Sequence, residues 1–291
     1  MSYSLLDRFR GAWLGALIGQ QMSYGTWQQN HCNSPLLLDR RSHKWSTKEI
    51  VSMIREPKSV AFAENWVRGN CKASTIALSI LPVILYHHDD WFGLSNFLHR
   101  RKGQFSEEID NVLVWCYTVR LALRGELFSQ GLTQRVVLGT QLEQKASIEW
   151  LEKVEMFCLK GFDSTQLIAQ LWSMKNREIP LALFCFFNNP QDFRLTTQQT
   201  LSLERQTANV TALSAALSGA YNGITSIPVN WRISLQHDDF YEEVMVKTEE
   251  MIKEWLGIDS TKSKTVPSVI TAPKVLQSRS GLTAISQQEY I

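Results

Sequence analysis

Two triplets hold the residue types best suited to chemistry. His88-Asp89-Asp90 and His237-Asp238-Asp239 each set an imidazole beside two carboxylates. Adjacent acids can chelate a cation, and histidine is a frequent transition-metal ligand. Both triplets stand where a helix is expected to end or begin, however. Asp238 and Asp239 therefore read as negative charge placed at a helix N-terminus rather than as metal ligands, and His87 with His88 as a solvated helix end. The five cysteines (Cys32, Cys71, Cys116, Cys158, Cys185) are far apart and form no C-x-x-C pair. Four sit in apolar or mixed helical stretches, where a thiol packs as a small hydrophobe. There is no G-x-S-x-G elbow, no P-loop and no G-x-G-x-x-G loop. Arg100-Arg101-Lys102 reads as a short solvated turn.

Helices must position whatever site exists. Residues 4–18 open with Ser4 and Asp7 at capping-box spacing and then place Leu6, Phe9, Trp13 and Leu17 at helical intervals. An apolar stretch over 72–86 ends at Tyr86. Ser106 is placed to cap a helix running to about Gly125, with Glu107 and Glu108 in its first turn. Residues 142–160 alternate charged and apolar positions and stop at Gly161, a C-cap residue. Asp163 caps a further segment to about Lys175. Helices over 179–187, 206–222 and 238–256 complete the set, and strand-like alternation is nearly absent. The reading is all-α. Residues 20–68 are a polar, loop-rich excursion with Pro35 and Pro57, a short helix at 47–55, and Trp27 and Trp45 free to line a cleft or partner surface. Trp13, Trp115, Trp150 and Trp172 fall in helical patterns and read as core.

Composition narrows the class. The 291 residues are 44% hydrophobic and 20% charged, enough for a substantial core. Thirty basic against 28 acidic residues leave +2, too little for a nucleic-acid or membrane-surface binder. No apolar run reaches the roughly 20 residues of a bilayer span. Asp7, Arg8 and Arg10 interrupt the place where a signal peptide is apolar, so a cytoplasmic location is expected. Residues 1–257 read as one helical domain. From Ile258 the chain is rich in Ser, Thr, Lys and Pro, with no clustered large apolar residues, and 258–291 is expected to be a disordered tail.

Glycine spacing is the most informative local pattern. Gly11, Gly15 and Gly19 lie four apart on the first helix, and Ala208, Ala212, Ala215 and Gly219 repeat on a later one. A helical glycine costs about 0.5–1 kcal/mol relative to alanine. Three on one face therefore call for a compensating gain, and close approach of two backbones supplies it. The two helices are expected to pack nearer than the usual 8–10 Å.

These residues carry a family likeness. RFRGAWLGALIGQ resembles the opening motif of the ADP-ribosylglycohydrolase family of the dinitrogenase-reductase-activating type, roughly R-F-x-G-x-x-x-G-x-x-x-G-D. ERQTANVTALSAALSGAYNGITSIPVNW resembles the last motif of that family, with Leu217, Gly219, Ala220, Gly223, Ile227, Pro228 and Trp231 matching. The resemblance implies an orthogonal helical bundle. It also implies two magnesium ions that help hydrolyse the N- or O-glycosidic bond between ADP-ribose and a side chain.

The residues that should ligate those ions differ at every motif. Gln20 stands where the resemblance expects an aspartate, Gln206 and Ala208 replace two more, and Asn209 replaces a threonine. A T-D-D-T element has no counterpart between residues 24 and 70. Magnesium wants oxygen ligands, usually with carboxylates among them. Two divalent ions held by neutral amides would repel one another with little to offset it. The expectation is therefore a family fold without catalytic residues or metal, whose cleft is lined by Gln20, Gln21, Ser23, Gln206 and Asn209. Amides suit hydrogen bonding to ribose hydroxyls, so ADP-ribose or a related nucleotide is one expected partner and a protein is another. Two alternatives remain: an active hydrolase that draws carboxylates from elsewhere, with the His-Asp-Asp triplets as first suspects, and a pure interaction scaffold.

Overall fold

The computed structural model describes residues 3–23, 72–100, 109–142, 144–160, 164–174, 176–203, 208–235 and 239–257. The expected helix at 47–55, Trp27, Trp45, Cys32, Cys71, Ser106, Gly161, Asp163, Gln206, His237, Asp238 and the tail from 258 lie outside them.

Among the described residues every regular element is a helix. Helix α1 (Leu5–Ser23) begins with a reciprocal cap, in which Ser4 Oγ accepts from the Asp7 N–H at 3.1 Å and donates to Asp7 Oδ2 at 2.7 Å. The apolar stretch after Lys72 forms two helices rather than one, α2 (Ala73–Ser79) and α3 (Leu81–Tyr86). Pro82 is the reason, because it has no N–H to give Leu78 and suits only the first turn of a helix. Helix α4 (Trp91–His99) is capped by Asp90, which accepts from Gly93 N–H at 2.9 Å.

Helix α5 (Ile109–Arg124) ends in a Schellman motif. Gly125 sits at φ 70°, and the Glu126 N–H reaches back to the Leu121 carbonyl at 2.9 Å. The Arg8 guanidinium from α1 donates to the Ala122 and Leu123 carbonyls at 2.6 and 3.0 Å, a cation at the negative end of α5. Helix α6 (Leu132–Thr140) is capped from a distance by α7 (Lys145–Lys160). Glu155 accepts from the backbone N–H groups of Gly131 and Thr133 at 2.6 and 2.9 Å. Burial opposes ionisation of Glu155, yet these backbone bonds hold its carboxyl below the ordinary value.

The chain continues through α8 (Ser164–Trp172), α9 (Glu178–Asn188), α10 (Phe193–Leu201) and α11 (Ala208–Asn222). After a 3-10 turn at Ile224–Ser226 come α12 (Val229–Leu235) and α13 (Asp239–Trp255). Helices α1 and α11 form the central pair, and α2, α5, α9, α10 and α13 pack around one or both of them. Both central helices are buried on nearly every side. Trp13, Trp115 and Trp150 belong to the core as expected. Trp172 is only partly buried, with the Arg177 guanidinium 4.5 Å above its ring. Among the described residues no helix is long and apolar enough to cross a membrane.

The solvated helix end expected at His87 and His88 is not there. Both side chains are buried, His88 completely. The His88 ring lies edge-on to Phe9 of α1 at 5.5 Å and tilted against Trp255 of α13 at 5.4 Å. Its Nδ1 is 2.9 Å from the Leu85 carbonyl. Two helices remote in sequence close over the end of α3 and exclude the water.

Candidate ligand-binding site

The glycine stripe sets the geometry. A Cβ on Gly11 would meet the backbone of Gly219 and Gly223, one on Gly15 the backbone of Ala215, and one on Gly19 the Thr211 carbonyl. Ascending positions on α1 meet descending positions on α11, so the helices run antiparallel. Backbone contact along their length brings the C-terminal end of α1 beside the N-terminal end of α11.

Polar side chains gather at that junction. Asn209, in the first turn of α11, donates from Nδ2 to Ser74 Oγ at 2.8 Å and to Thr75 Oγ1 at 3.3 Å, both in the first turn of α2. Its Oδ1 is buried and accepts nothing. The hydroxyls of Thr211 and Ser214, further along α11, are also buried without partners. Gln20 lies at the same end of the helix pair with 1% of its surface exposed, and Gln21 and Ser23 are half-buried beside it. Ser23 donates to the Gly19 carbonyl at 2.8 Å. Of the five expected lining residues, Gln20, Gln21, Ser23 and Asn209 thus share one end of the bundle, and Gln206 lies outside the described residues.

Four further residues belong to this end and were not foreseen. Ser74 and Thr75 are joined to it by Asn209, and Lys72 and Glu178 by an ion pair. Lys72 N-caps α2, and its Nζ lies 3.1 Å from Glu178 Oε1 in the first turn of α9. The Glu178 side chain is 8% exposed, the Lys72 side chain 64%. Only the apolar run 179–187 drew notice to this part of the sequence, and it says nothing of what Glu178 faces.

The described donors at this end are not the carboxylates that a pair of magnesium ions usually takes. Gln20, Ser23, Ser74, Thr75 and Asn209 are neutral, and the Glu178 carboxylate already holds a lysine. No group of three or more His, Cys, Asp or Glu among the described residues could hold a metal ion. The first His-Asp-Asp triplet is elsewhere, since His88 touches Phe9, eleven residues and about 16 Å of helix from Gln20. Asp89 Oδ2 accepts from Trp255 Nε1 at 3.0 Å, and Asp90 caps α4. In the second triplet, Asp239 is the first residue of α13.

The described thiols offer no nucleophile. Burial pushes Cys158 up to about 11 and Cys185 up to about 12, and raises Cys116 as well. All three are free.

Comparison with known proteins agrees with this arrangement of helices. The ADP-ribosylglycohydrolase family profile matches residues 104–258, which include Asn209 and the small-residue stripe of α11. A solved structure described as an ADP-ribosylglycohydrolase-related protein complex aligns with a TM-score of 0.53 and 16% identity. The alignment covers 85% of this chain and 98% of that one. At that identity the likeness shows the fold: an all-α bundle of the ADP-ribosylglycohydrolase type. No curated protein sequence matches the chain.

Proposed function

The chain belongs to the ADP-ribosylglycohydrolase family, and from that premise we propose that it binds an ADP-ribose-like ligand without hydrolysing it. The observation that carries this reading is Asn209. Its amide holds two hydroxyl groups of α2 and keeps a buried carbonyl oxygen with nothing to accept from. A buried acceptor left unmet costs about 1–3 kcal/mol, and a ribose hydroxyl would meet it. The rest of the described lining, Gln20, Ser23, Ser74 and Thr75, is neutral and rich in donors and acceptors.

Hydrolysis in this family calls for closely spaced carboxylates around magnesium, and Gln20, Gln206 and Ala208 do not supply them. The protein acts instead as a metal-free, cytoplasmic reader of the ligand, or of a protein partner that carries it. A second reading keeps the hydrolase, with Glu178 as the favoured carboxylate because it is buried at the same end of the bundle.

Calorimetric titration of ADP-ribose into the full chain, once with magnesium and once with a chelator, separates the readings. Equal binding in both conditions is the expected result. Binding only with magnesium would favour the hydrolase, and no binding in either would overturn the ligand-reader reading.

A further inference from the structure

Lys72 stands at the junction that holds Asn209. It precedes α2, yet its side chain makes no capping bond to that helix. Its Nζ lies instead 3.1 Å from Glu178 Oε1, in the first turn of α9. Ser74, two residues on, accepts from Asn209 Nδ2 at 2.8 Å. Two residues of chain span at most about 7 Å, so the base of Lys72 is close to the Asn209 contact.

The ion pair is lopsided. The Glu178 side chain is 8% exposed and the Lys72 side chain 64%. A pair wholly in water adds little stability, because side-chain entropy and screening offset its attraction. Here the carboxylate is fixed in the protein and keeps the end of a long, flexible side chain in one place. Such prior ordering lowers what a ligand must offset on binding.

An ammonium has three N–H donors. Glu178 Oε1 takes one, and among the described residues nothing else accepts from Lys72. Two donors are left for a ligand. A glutamate that holds a lysine in this way sets it on the phosphates of ATP in protein kinases. Arg177, the chain neighbour of Glu178, is engaged with Trp172: its guanidinium lies over that ring at 4.5 Å and donates to that carbonyl at 3.0 Å. In a nucleotide the phosphate hangs from the same ribose whose hydroxyls would meet Asn209, so both groups fall within one short stretch of ligand.

We propose that Lys72 binds the phosphate of the ligand, and that Glu178 is the positioning residue that holds its ammonium there. The inference rests on the reading of this end as an ADP-ribose-like site, and it supplies the cation that the neutral lining lacks. Calorimetric titration of ADP-ribose into full-length variants, with a chelator present, tests it. Lys72→Gln should weaken binding by about tenfold or more, the worth of one charge-assisted hydrogen bond. That change strands the Glu178 carboxylate, so the double variant Lys72→Gln with Glu178→Gln replaces both charges by amides. It should lose the same affinity, whereas Lys72→Arg should keep most of it. Raising salt from about 0.05 to 0.3 M should weaken binding to the wild type and leave the double variant nearly unchanged. Unchanged affinity in the double variant, or wild-type binding indifferent to salt, would overturn the role of Lys72 and leave the ligand site standing. No binding to the wild type would overturn both.

Discussion

Gly219 and Gly11 press backbone against backbone, so that a Cβ on either would run into the main chain of the other. Main chain cannot swing aside as a long side chain can, and relief requires the two central helices to part. Gly219→Ala should therefore lower stability by about 2 kcal/mol or more, despite the better helix propensity of alanine. Gly131 makes the control. It sits at φ 67° with open space around it, so Gly131→Ala should cost only the strain of a left-handed residue, about 1 kcal/mol. Urea titration of both variants checks the ranking, and a Gly219→Ala midpoint equal to that of Gly131→Ala would contradict the close packing.

His88 makes the fold sensitive to mild acid. Burial, opposed by the Asp89 charge and the Leu85 carbonyl, pushes its imidazole down from 6.5 to about 4, with Arg124 and Arg120 adding to the lowering. Between those pH values the unfolded chain takes up a proton that the folded chain refuses. Stability is therefore undiminished by His88 above pH 6.5 and falls as pH drops through the window, by about 3 kcal/mol at most. His88→Phe should flatten that slope. Denaturant midpoints between pH 6.5 and 5, above the carboxylate range, are the measurement, and an unchanged slope would mean that His88 is not the group responsible.

Asn209→Ala removes the unmet acceptor together with the amide that holds Ser74 and Thr75. Affinity for ADP-ribose should fall by roughly five- to tenfold, the worth of about one hydrogen bond. The melting temperature should move little, because a buried penalty and a buried bond leave together. Calorimetry on the variant would expose the assignment as wrong if affinity were unchanged.

Restoring aspartate at Gln20, Gln206 and Ala208 should not restore hydrolysis, since no T-D-D-T element accompanies them. The Gln20→Asp change should also lower the melting temperature, because a carboxylate at a site 1% exposed loses its hydration. Added magnesium should not raise it again, as it would if a metal site had formed. Recovered cleavage of an ADP-ribosyl bond by the triple variant would count against the proposed reading.

Sequence spacing reveals what one helix does to its own neighbours. The Ser4–Asp7 cap and the facing stripes of α1 and α11 follow from residues a turn apart, and both are present in the structure. What depends on distant partners stayed hidden. His88 is enclosed by Trp255, and Ser74 meets Asn209 across 135 positions of chain. Nothing in the local pattern of HHDD or KAST specifies either contact. Gln141, the cap of α6 at φ 54°, is equally silent, because a left-handed residue is expected to be glycine or asparagine.

The antiparallel seating of α1 on α11 has a consequence for the newborn protein. Of the two central helices α1 is made first, and it finds its main support about 200 residues later. At synthesis rates of about 5–20 residues per second, Phe9, Trp13, Leu14, Leu17 and Ile18 wait on the order of 10 to 40 s for α11 to emerge. For that interval a helix that the folded protein buries on nearly every side is without its partner. Truncated nascent chains that stop short of residue 208 should therefore be held by chaperones or aggregate.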